Sequence, residues 1–160
     1  MNTHASQHSG QPAKQPEKQL EKQTEKEDEI GKLLRHVKTI AVVGLSSSPL
    51  RPSHGVSAYM QLKGYRIIPV NPTIAGVLGE KSYPGLLDLA GLPEKVDLVN
   101  VFRRSEFVPE IVDQAIQLGV PALWFQEGVI HAESAAKARA AGITVVMDRC
   151  ILKEHRARFR

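Results

Sequence analysis

The sequence has one cysteine, few aromatic residues and no long apolar run, and each shortage excludes a class of protein. Because Cys150 has no second cysteine to pair with, a disulfide-stabilised secreted domain is excluded and a reducing compartment is favoured. No stretch approaches the roughly 18 consecutive apolar residues that cross a bilayer. The N-terminus also lacks the apolar core of a secretory signal. We therefore expect a cytoplasmic protein that does not associate with membranes.

The charge pattern favours a small anionic ligand over nucleic acid. The formal net charge is +4, but residues 1–29 hold four lysines and six acidic residues, so residues 30–160 carry +6. A basic domain of this kind attracts nucleic acid, anionic membranes or anionic small molecules. Aromatic residues make up only 5% and the basic residues are scattered, whereas nucleic-acid binding favours a basic stripe or aromatic strands.

The first 29 residues differ in composition from the rest of the chain. After a polar start they contain the repetitive run EKQLEKQTEKED, which has almost no apolar residue to bury. Such a composition predicts a disordered polar tail, or alternatively a helix that binds a partner. The chain then divides into this tail, residues 1–29, and one ligand-binding domain, residues 30–160.

Strand and helix patterns alternate from residue 30 onwards. Short apolar runs rich in β-branched residues predict five strands, at 39–45, 66–70, 97–102, 122–125 and 143–147. Helical spacing and glycine stops predict helices at 30–37, 56–62, 83–89, 105–118, 132–141 and 151–160, with Ser105 as the N-cap of the fourth. This alternation predicts an α/β fold: a Rossmann-like, doubly wound, parallel five-stranded sheet in three layers. Ligands of such folds bind beyond the carboxyl ends of the strands.

The loop after the first predicted strand has the features of a phosphate site. Gly44 allows a tight turn, three serines offer donors, and Arg51 offers a bidentate contact. The N-terminus of the following helix, near Ser53 to Val56, supplies free N–H groups that bind phosphate. A serine-rich loop with a serine N-cap is the structural alternative. The position after the first strand favours phosphate binding.

This loop is not the fingerprint of a dinucleotide site. That motif is G-x-G-x-x-G with an acid about 20 residues further on, which binds the adenosine ribose. Here Gly44 and Gly55 are the only glycines of the loop, and the second strand is followed by Asn71 and Pro72. The sequence therefore lacks the signature of an NAD site but retains that of a phosphate site.

Six segments together carry a family resemblance. They are IAVVGLSSSPLRPSHGV, YRIIPVNP, LGEKSYPGLLDL, VDLVNVFRRSEFVPEIV, ALWFQEGV and TVVMDRC followed by EH. In this order they resemble the stand-alone CoA-binding proteins of bacteria, which are similar to the CoA-binding domain of the succinyl-CoA synthetase α subunit. The resemblance spans about residues 30–159 and implies coenzyme A, or an acyl-CoA, as the ligand.

The resemblance also implies which residues bind this ligand. The phosphate loop and helix start would comprise Gly44, Ser46, Ser47, Ser48, Arg51, His54, Gly55 and Val56. The adenosine end would be flanked by Val70, Asn71 and Pro72, and the segment after the third strand would contribute Phe102, Arg103 and Arg104. The turn from Gln126 to Val129, with Gly128 at its centre, would lie near the pantetheine arm. Arginine suits phosphate because its planar fork donates two parallel hydrogen bonds.

The sequence contains no recognisable catalytic set. None of the six histidines has a metal-ligand spacing with Cys150, so we expect neither a metal site nor a catalytic residue. His54 either contacts phosphate or is an exposed residue of the helix start, and His155 is interpreted as structural. Cys150 is interpreted first as a small buried residue, because free cysteine is often buried. The alternative is a thiol that, in the presence of an oxidant, forms a mixed disulfide with the thiol of CoA, with Arg149 favouring the thiolate.

These patterns favour a non-catalytic CoA-binding module that acts as a carrier, sensor or regulator. An NAD(P)-binding oxidoreductase or redox-sensing domain is the first alternative, and the missing glycines and ribose acid count against it. An acyl-transferring subunit that needs a partner chain is the second. A protein that binds other proteins and has lost its ligand is the third.

Overall fold

A five-stranded parallel sheet organises residues 29–159, which are the residues that this computed structural model describes. The tail predicted for residues 1–29 therefore lies, up to residue 28, outside the described residues. The strands are β1 (Thr39–Val43), β2 (Arg66–Val70), a small antiparallel hairpin of β3 (Gly76–Val77) and β4 (Glu80–Lys81), β5 (Leu98–Val101), β6 (Ala122–Phe125) and β7 (Thr144–Val146). The helices are α1 (Glu29–His36), α2 (Pro52–Leu62), α3 (Val108–Leu118), α4 (Ala132–Ala140) and α5 (Ile151–Arg158). Two short 3₁₀ turns, Leu86–Gly91 and Ser105–Phe107, complete the elements.

The sheet has the order β2-β1-β5-β6-β7, and all of its neighbouring strands are parallel. The register places Ala41 of β1 between Ile68 of β2 and Val99 of β5. From β1 the chain winds first to β2 and then, in the other direction, through β5 to β7. The winding reverses between β1 and β5, which is where doubly wound sheets bind their ligands.

Two apolar clusters, one on each face of the sheet, give the fold its three layers. On one face β1 contributes Ala41 and Val43, which pack with apolar side chains of α3 and α4. On the other face β1 contributes Ile40 and Val42, which pack with α1, α2 and α5. Because successive side chains of a strand point to opposite faces, one strand serves both clusters. The predicted doubly wound, three-layered α/β fold is confirmed.

Three predicted helices differ from the observed ones. Helix α2 begins at Pro52, four residues before the predicted start, because proline fits the first helical position, where its missing N–H is no loss. Helix α3 begins at Val108, after a 3₁₀ turn. The helix predicted over residues 83–89 is wrong: Tyr83 forms a bridge with Val70, and a 3₁₀ turn follows from Leu86.

The prediction of Ser105 as an N-cap is also wrong. Its hydroxyl accepts a hydrogen bond from the Ile130 N–H at 3.0 Å and donates one to the Gly128 carbonyl at 3.4 Å. Ser105 therefore joins the loop after β5 to the loop after β6. No helix of the described residues is long and apolar enough to cross a membrane.

Candidate functional site

A cavity of about 770 Å³ opens at the carboxyl ends of β1, β5 and β6, where the winding of the sheet reverses. It is lined by Gly44, Ser46, Arg51, Pro52, Ser53, Val56, Phe102, Arg103, Arg104, Gln126, Glu127, Gly128, Val129 and Cys150. Eight of the fifteen residues predicted from the sequence are among them. Four separate loops, after β1, β5, β6 and β7, thus meet in one concave site, as the strand-end rule expects.

Gly44 allows the loop after β1 to lie close to the segment after β5. Its φ is +85°, a left-handed conformation that favours glycine. A Cβ atom at this position would collide with the carbonyl oxygen of Phe102 and lie 3.1 Å from a side-chain carbon of Arg103. The loop after β1 therefore lies directly against the segment after β5, and only glycine permits this approach.

The serines of the first loop hydrogen-bond to the loop itself. The Ser53 hydroxyl accepts a hydrogen bond from the Ser46 N–H at 3.0 Å, and the Ser46 hydroxyl accepts one from the Ser48 N–H at 3.0 Å. The Ser48 hydroxyl accepts a longer one, 3.4 Å, from the Leu50 N–H. These side chains fix the shape of the loop. Of the three predicted serines, Ser46 lines the cavity, whereas Ser47 and Ser48 do not.

The three arginines of the cavity wall differ in whether a carboxylate of the protein already neutralises their charge. Arg104 lies 3.3 Å from the carboxylate of Glu106, in an exposed ion pair. The guanidinium of Arg103 lies over the ring of Phe107, 4.2 Å from its centroid. Within residues 29–159, neither Arg51 nor Arg103 forms an ion pair with a carboxylate. Their charges remain available to an anion in the cavity.

The opposite wall is built by the loops after β6 and β7. Gly128 donates its N–H to the carboxylate of Asp148 at 2.8 Å, and Asp148 itself has a φ of +59°. Glu127 accepts a hydrogen bond from Lys153 at 2.8 Å, and this bond is the main reason that the pKa of Lys153 is raised. The turn is therefore attached both to the end of β7 and to α5.

Cys150 lies on this wall, at the position that precedes α5. It is only partly buried: it packs against the apolar cluster on the face of α1, α2 and α5, and it also lines the cavity, so its interpretation as a buried apolar residue holds only in part. The loop after β7 brings it there, held by the 2.7 Å hydrogen bond from the Trp124 indole to the Arg149 carbonyl. A mixed disulfide between Cys150 and a ligand thiol stays a prediction.

Apart from Ser47 and Ser48, the predicted residues outside the cavity wall lie in α2 or at the end of β2. His54 and Gly55 belong to the first turn of α2 and do not line the cavity. Val70 is buried in the core, and Pro72 is exposed beyond the end of β2. The structure therefore separates these residues from the cavity itself.

Asn71 supports the first loop through its side chain. Its amide nitrogen donates to the Leu45 carbonyl at 2.9 Å, and its amide oxygen accepts from the N–H and the hydroxyl of Thr73, at 2.9 and 2.7 Å. Asn71 thus ties the end of β2 to the loop after β1. Contacts this distant in sequence leave no local signal.

The cavity also contains residues that were not among the fifteen. Pro52 and Ser53 enter because α2 begins earlier than predicted. Gln126, Glu127 and Val129 flank Gly128 in the turn that the family resemblance had already placed near the ligand. Among residues 29–159, no group of three or more histidine, cysteine, aspartate or glutamate residues is placed to hold a metal ion.

A doubly wound sheet with a basic cavity at its point of reversal defines a nucleotide-type ligand-binding domain. Residues 38–156 match the family of the CoA binding domain, and the chain belongs to this family. The family resemblance stated from the sequence is thereby confirmed.

Three comparisons describe its relatives. Uncharacterized protein YneT of Bacillus subtilis (strain 168) is 45% identical over 127 residues, 79% of this chain and 92% of that protein. Acetate–CoA ligase [ADP-forming] II of Archaeoglobus fulgidus is 30% identical over 89 residues, 54% of this chain but only 13% of the ligase. A solved structure of a hypothetical protein from Pyrococcus horikoshii OT3 superimposes with a TM-score of 0.78 at 37% identity, covering 83% of this chain and 92% of that one.

Proposed function

We propose that this chain binds coenzyme A in the cavity at the carboxyl ends of β1, β5 and β6. The observation that carries the proposal is a cavity of about 770 Å³ at the reversal point, whose wall includes two arginines without a carboxylate partner among the described residues. Coenzyme A carries about four negative charges at neutral pH on its diphosphate and 3′-phosphate. Membership of the CoA-binding domain family supports the same ligand.

The ligand lies across the strand ends in the order of the sheet. The diphosphate is held by the loop after β1, at Gly44, Ser46 and Arg51, where the N-terminus of α2 adds a partial positive charge. The adenosine extends towards the end of β2, near Asn71 and Pro72. The pantetheine arm extends the other way, towards the loop after β6.

The module binds its ligand without transforming it. The charged side chains and the thiol of the wall are Arg51, Arg103, Arg104, Glu127 and Cys150, and the one carboxylate among them is paired with a lysine. A carboxylate that already accepts a hydrogen bond from a lysine is poorly placed to take a proton from a substrate. This set supports the proposal of a carrier, sensor or regulatory module of CoA.

Thermal unfolding of the purified chain with separate ligands tests the proposal. A ligand present at 100 times its dissociation constant stabilises a protein by about 2.7 kcal/mol. For a domain of this size that raises the midpoint by roughly 5–10 °C. We expect this shift with CoA or acetyl-CoA and none with NAD, NADP or ATP. A shift with NAD alone would support the oxidoreductase or redox-sensing alternative instead.

A further inference from the structure

A second cavity, which we call the amino-edge cavity, opens beside the amino ends of β1 and β2. It has a volume of about 450 Å³, and its walls combine three cations with three rings: Arg35, Lys38, Lys63, Tyr65, His155 and Phe159. It shares no lining residue with the proposed CoA site, because α2 and α5 each begin at that site and end at the amino-edge cavity. Its lining is therefore independent of any CoA site.

The cationic wall of the amino-edge cavity has no carboxylate to balance it. The described residues that line it include no aspartate or glutamate. Neither Lys38 nor Lys63 forms an ion pair with a carboxylate within residues 29–159. Asp97 approaches Lys38, but one of its carboxylate oxygens accepts the backbone N–H groups of Lys38 and Thr39, both at 2.9 Å. Because like charges repel each other, an anion between the two lysines stabilises this wall.

His155 lines the same cavity with one ring nitrogen unused. The residue is 6% exposed, and its Nδ1 lies 3.0 Å from the Tyr59 hydroxyl. That hydroxyl has no other hydrogen-bond partner among the described residues, so we assign it as the donor, which leaves the ring proton on Nε2. Nε2 has no partner there and is not sealed from the surface, since the Ser57 hydroxyl is the one sealed, unpartnered side-chain atom in residues 29–159. His155 therefore offers an N–H donor to the cavity.

The rings make the rest of the wall apolar. Phe159 stacks on His155 with ring centroids 4.8 Å apart, and the Arg35 guanidinium lies 5.5 Å from the centroid of Phe159. Tyr65 packs edge-on against His155, and its hydroxyl already donates to the Leu34 carbonyl at 2.6 Å. A ligand in this cavity meets ring carbon as well as charge. Inorganic phosphate matches only the charge, whereas an organic anion with an apolar body matches both.

We propose that the amino-edge cavity binds a small organic carboxylate with an apolar body. One carboxylate oxygen accepts the Nε2–H of His155, and Lys38 and Lys63 supply the balancing charge. The apolar body packs against Tyr65 and Phe159. A volume of about 450 Å³ lies within the usual range of small-molecule sites. Neither this proposal nor the CoA site rests on the other.

NMR titration of the full chain with benzoate and, separately, with inorganic phosphate tests the proposal. Benzoate is the probe because it combines one carboxylate with one ring. We expect benzoate to shift the amide signals of Lys38 and Tyr65 and the imidazole signals of His155. Phosphate is expected to shift the same signals only at higher concentration, because it makes no apolar contact.

Two variants test the two parts of the site. His155→Phe keeps the ring and removes the N–H, so benzoate affinity is expected to fall roughly tenfold or more. Lys38→Gln with Lys63→Gln is expected to lower it about threefold to tenfold, since both lysines are exposed. The matched control, Lys32→Gln with Lys95→Gln, removes two exposed charges outside both cavities and leaves the affinity unchanged.

Absence of these shifts in the folded wild type overturns the proposal, and so does equal benzoate affinity of the Lys38→Gln, Lys63→Gln variant and its control. Phosphate binding as tight as that of benzoate also overturns it, because the apolar wall then contributes nothing. If His155→Phe does not fold, the lysine variants carry the test. CoA affinity, measured in the same variants, is expected to stay unchanged, so failure of the CoA proposal is a separate result.

Discussion

At Gly44 the loop after β1 comes so close to the segment after β5 that no side chain fits between them. Both the left-handed φ and the collision with the Phe102 carbonyl require glycine here. Gly142 has nearly the same φ, +87°, but a Cβ there meets no atom within 4 Å. Comparing the two positions therefore separates the cost of the left-handed conformation, which both share, from the cost of the collision, which arises only at position 44.

Gly44→Ala is expected to destabilise the protein more than Gly142→Ala. The left-handed conformation costs an alanine about 1–2 kcal/mol at either position. At position 44 the collision adds to this cost and displaces Phe102, so that affinity for CoA falls as well. Urea unfolding and CoA titration of both variants measure the two effects. Equal destabilisation with unchanged CoA affinity would show that the close approach at Gly44 does not matter.

The sequence identified residues of the cavity wall where the signal was local, and it missed contacts between segments that are distant in the chain. Gly44 and Arg51 were recognisable because both lie in the loop that follows the first strand. The roles of Asn71 and Ser105 were not, because each side chain binds a backbone segment more than twenty residues away. Tertiary hydrogen bonds of this kind are invisible to a reading of local sequence.

Among the helices, α5 is attached to the domain through His155. The ring is 6% exposed, hydrogen-bonds with the Tyr59 hydroxyl at 3.0 Å and stacks on Phe159 with centroids 4.8 Å apart. Tyr65 packs edge-on against the same ring. Burial lowers the pKa of His155 below its ordinary value, and the nearby positive charge of Lys63 lowers it further. The interpretation of His155 as structural agrees with these contacts.

Acidification is expected to weaken the attachment of α5. Because the pKa of His155 is lower in the folded state, the unfolded chain takes up the proton first as pH falls below about 6.5, and stability is lost with it. The positive charge of Lys63 also opposes protonation of His155 in the folded state. His155→Phe removes the titrating group and keeps the ring stacking.

The free energy of unfolding of the wild type and of His155→Phe, measured in urea between about pH 7.5 and about pH 5.5, tests whether His155 causes the loss of stability. We expect a smaller decrease on acidification in His155→Phe than in the wild type. Glu154 does not interfere in this range: burial would raise its pKa, but hydrogen bonds from Arg158 and Arg149 outweigh burial and lower it. An identical decrease in both proteins would contradict the account of α5.

Element boundaries were harder to predict than element types. All five strands of the sheet were predicted, because short β-branched runs are typical of buried parallel strands. The hairpin of β3 and β4 was not predicted, since strands of two residues have no periodicity. Its turn is formed by Leu78 and Gly79, both of which have a positive φ. The start of α2 was misplaced because Gly55, a poor helix former, lies inside its first turns.

In the whole molecule, the position of the cavity follows from the strand order rather than from any one motif. The fold class was predictable from the alternation of strands and helices, but the order β2-β1-β5-β6-β7 was not, since periodicity does not encode strand neighbours. Once the order is known, the loops after β1 and β5 lie on either side of the reversal point. Arg51 and Arg103, 52 residues apart in the chain, then line the same cavity.

Calorimetric titration of CoA into the wild type and into the double variant Arg51→Gln, Arg103→Gln tests the central claim most directly. Charge-assisted hydrogen bonds to phosphate contribute about 1.5–3 kcal/mol each, so for two arginines we predict one CoA per chain and a roughly hundredfold or greater loss of affinity in the variant. The matched control, Arg139→Gln with Arg156→Gln, removes the same charge outside the cavity and should bind like the wild type. A folded wild type that does not bind CoA, or a double variant that binds it as tightly as the wild type, would contradict a CoA site at this edge of the sheet.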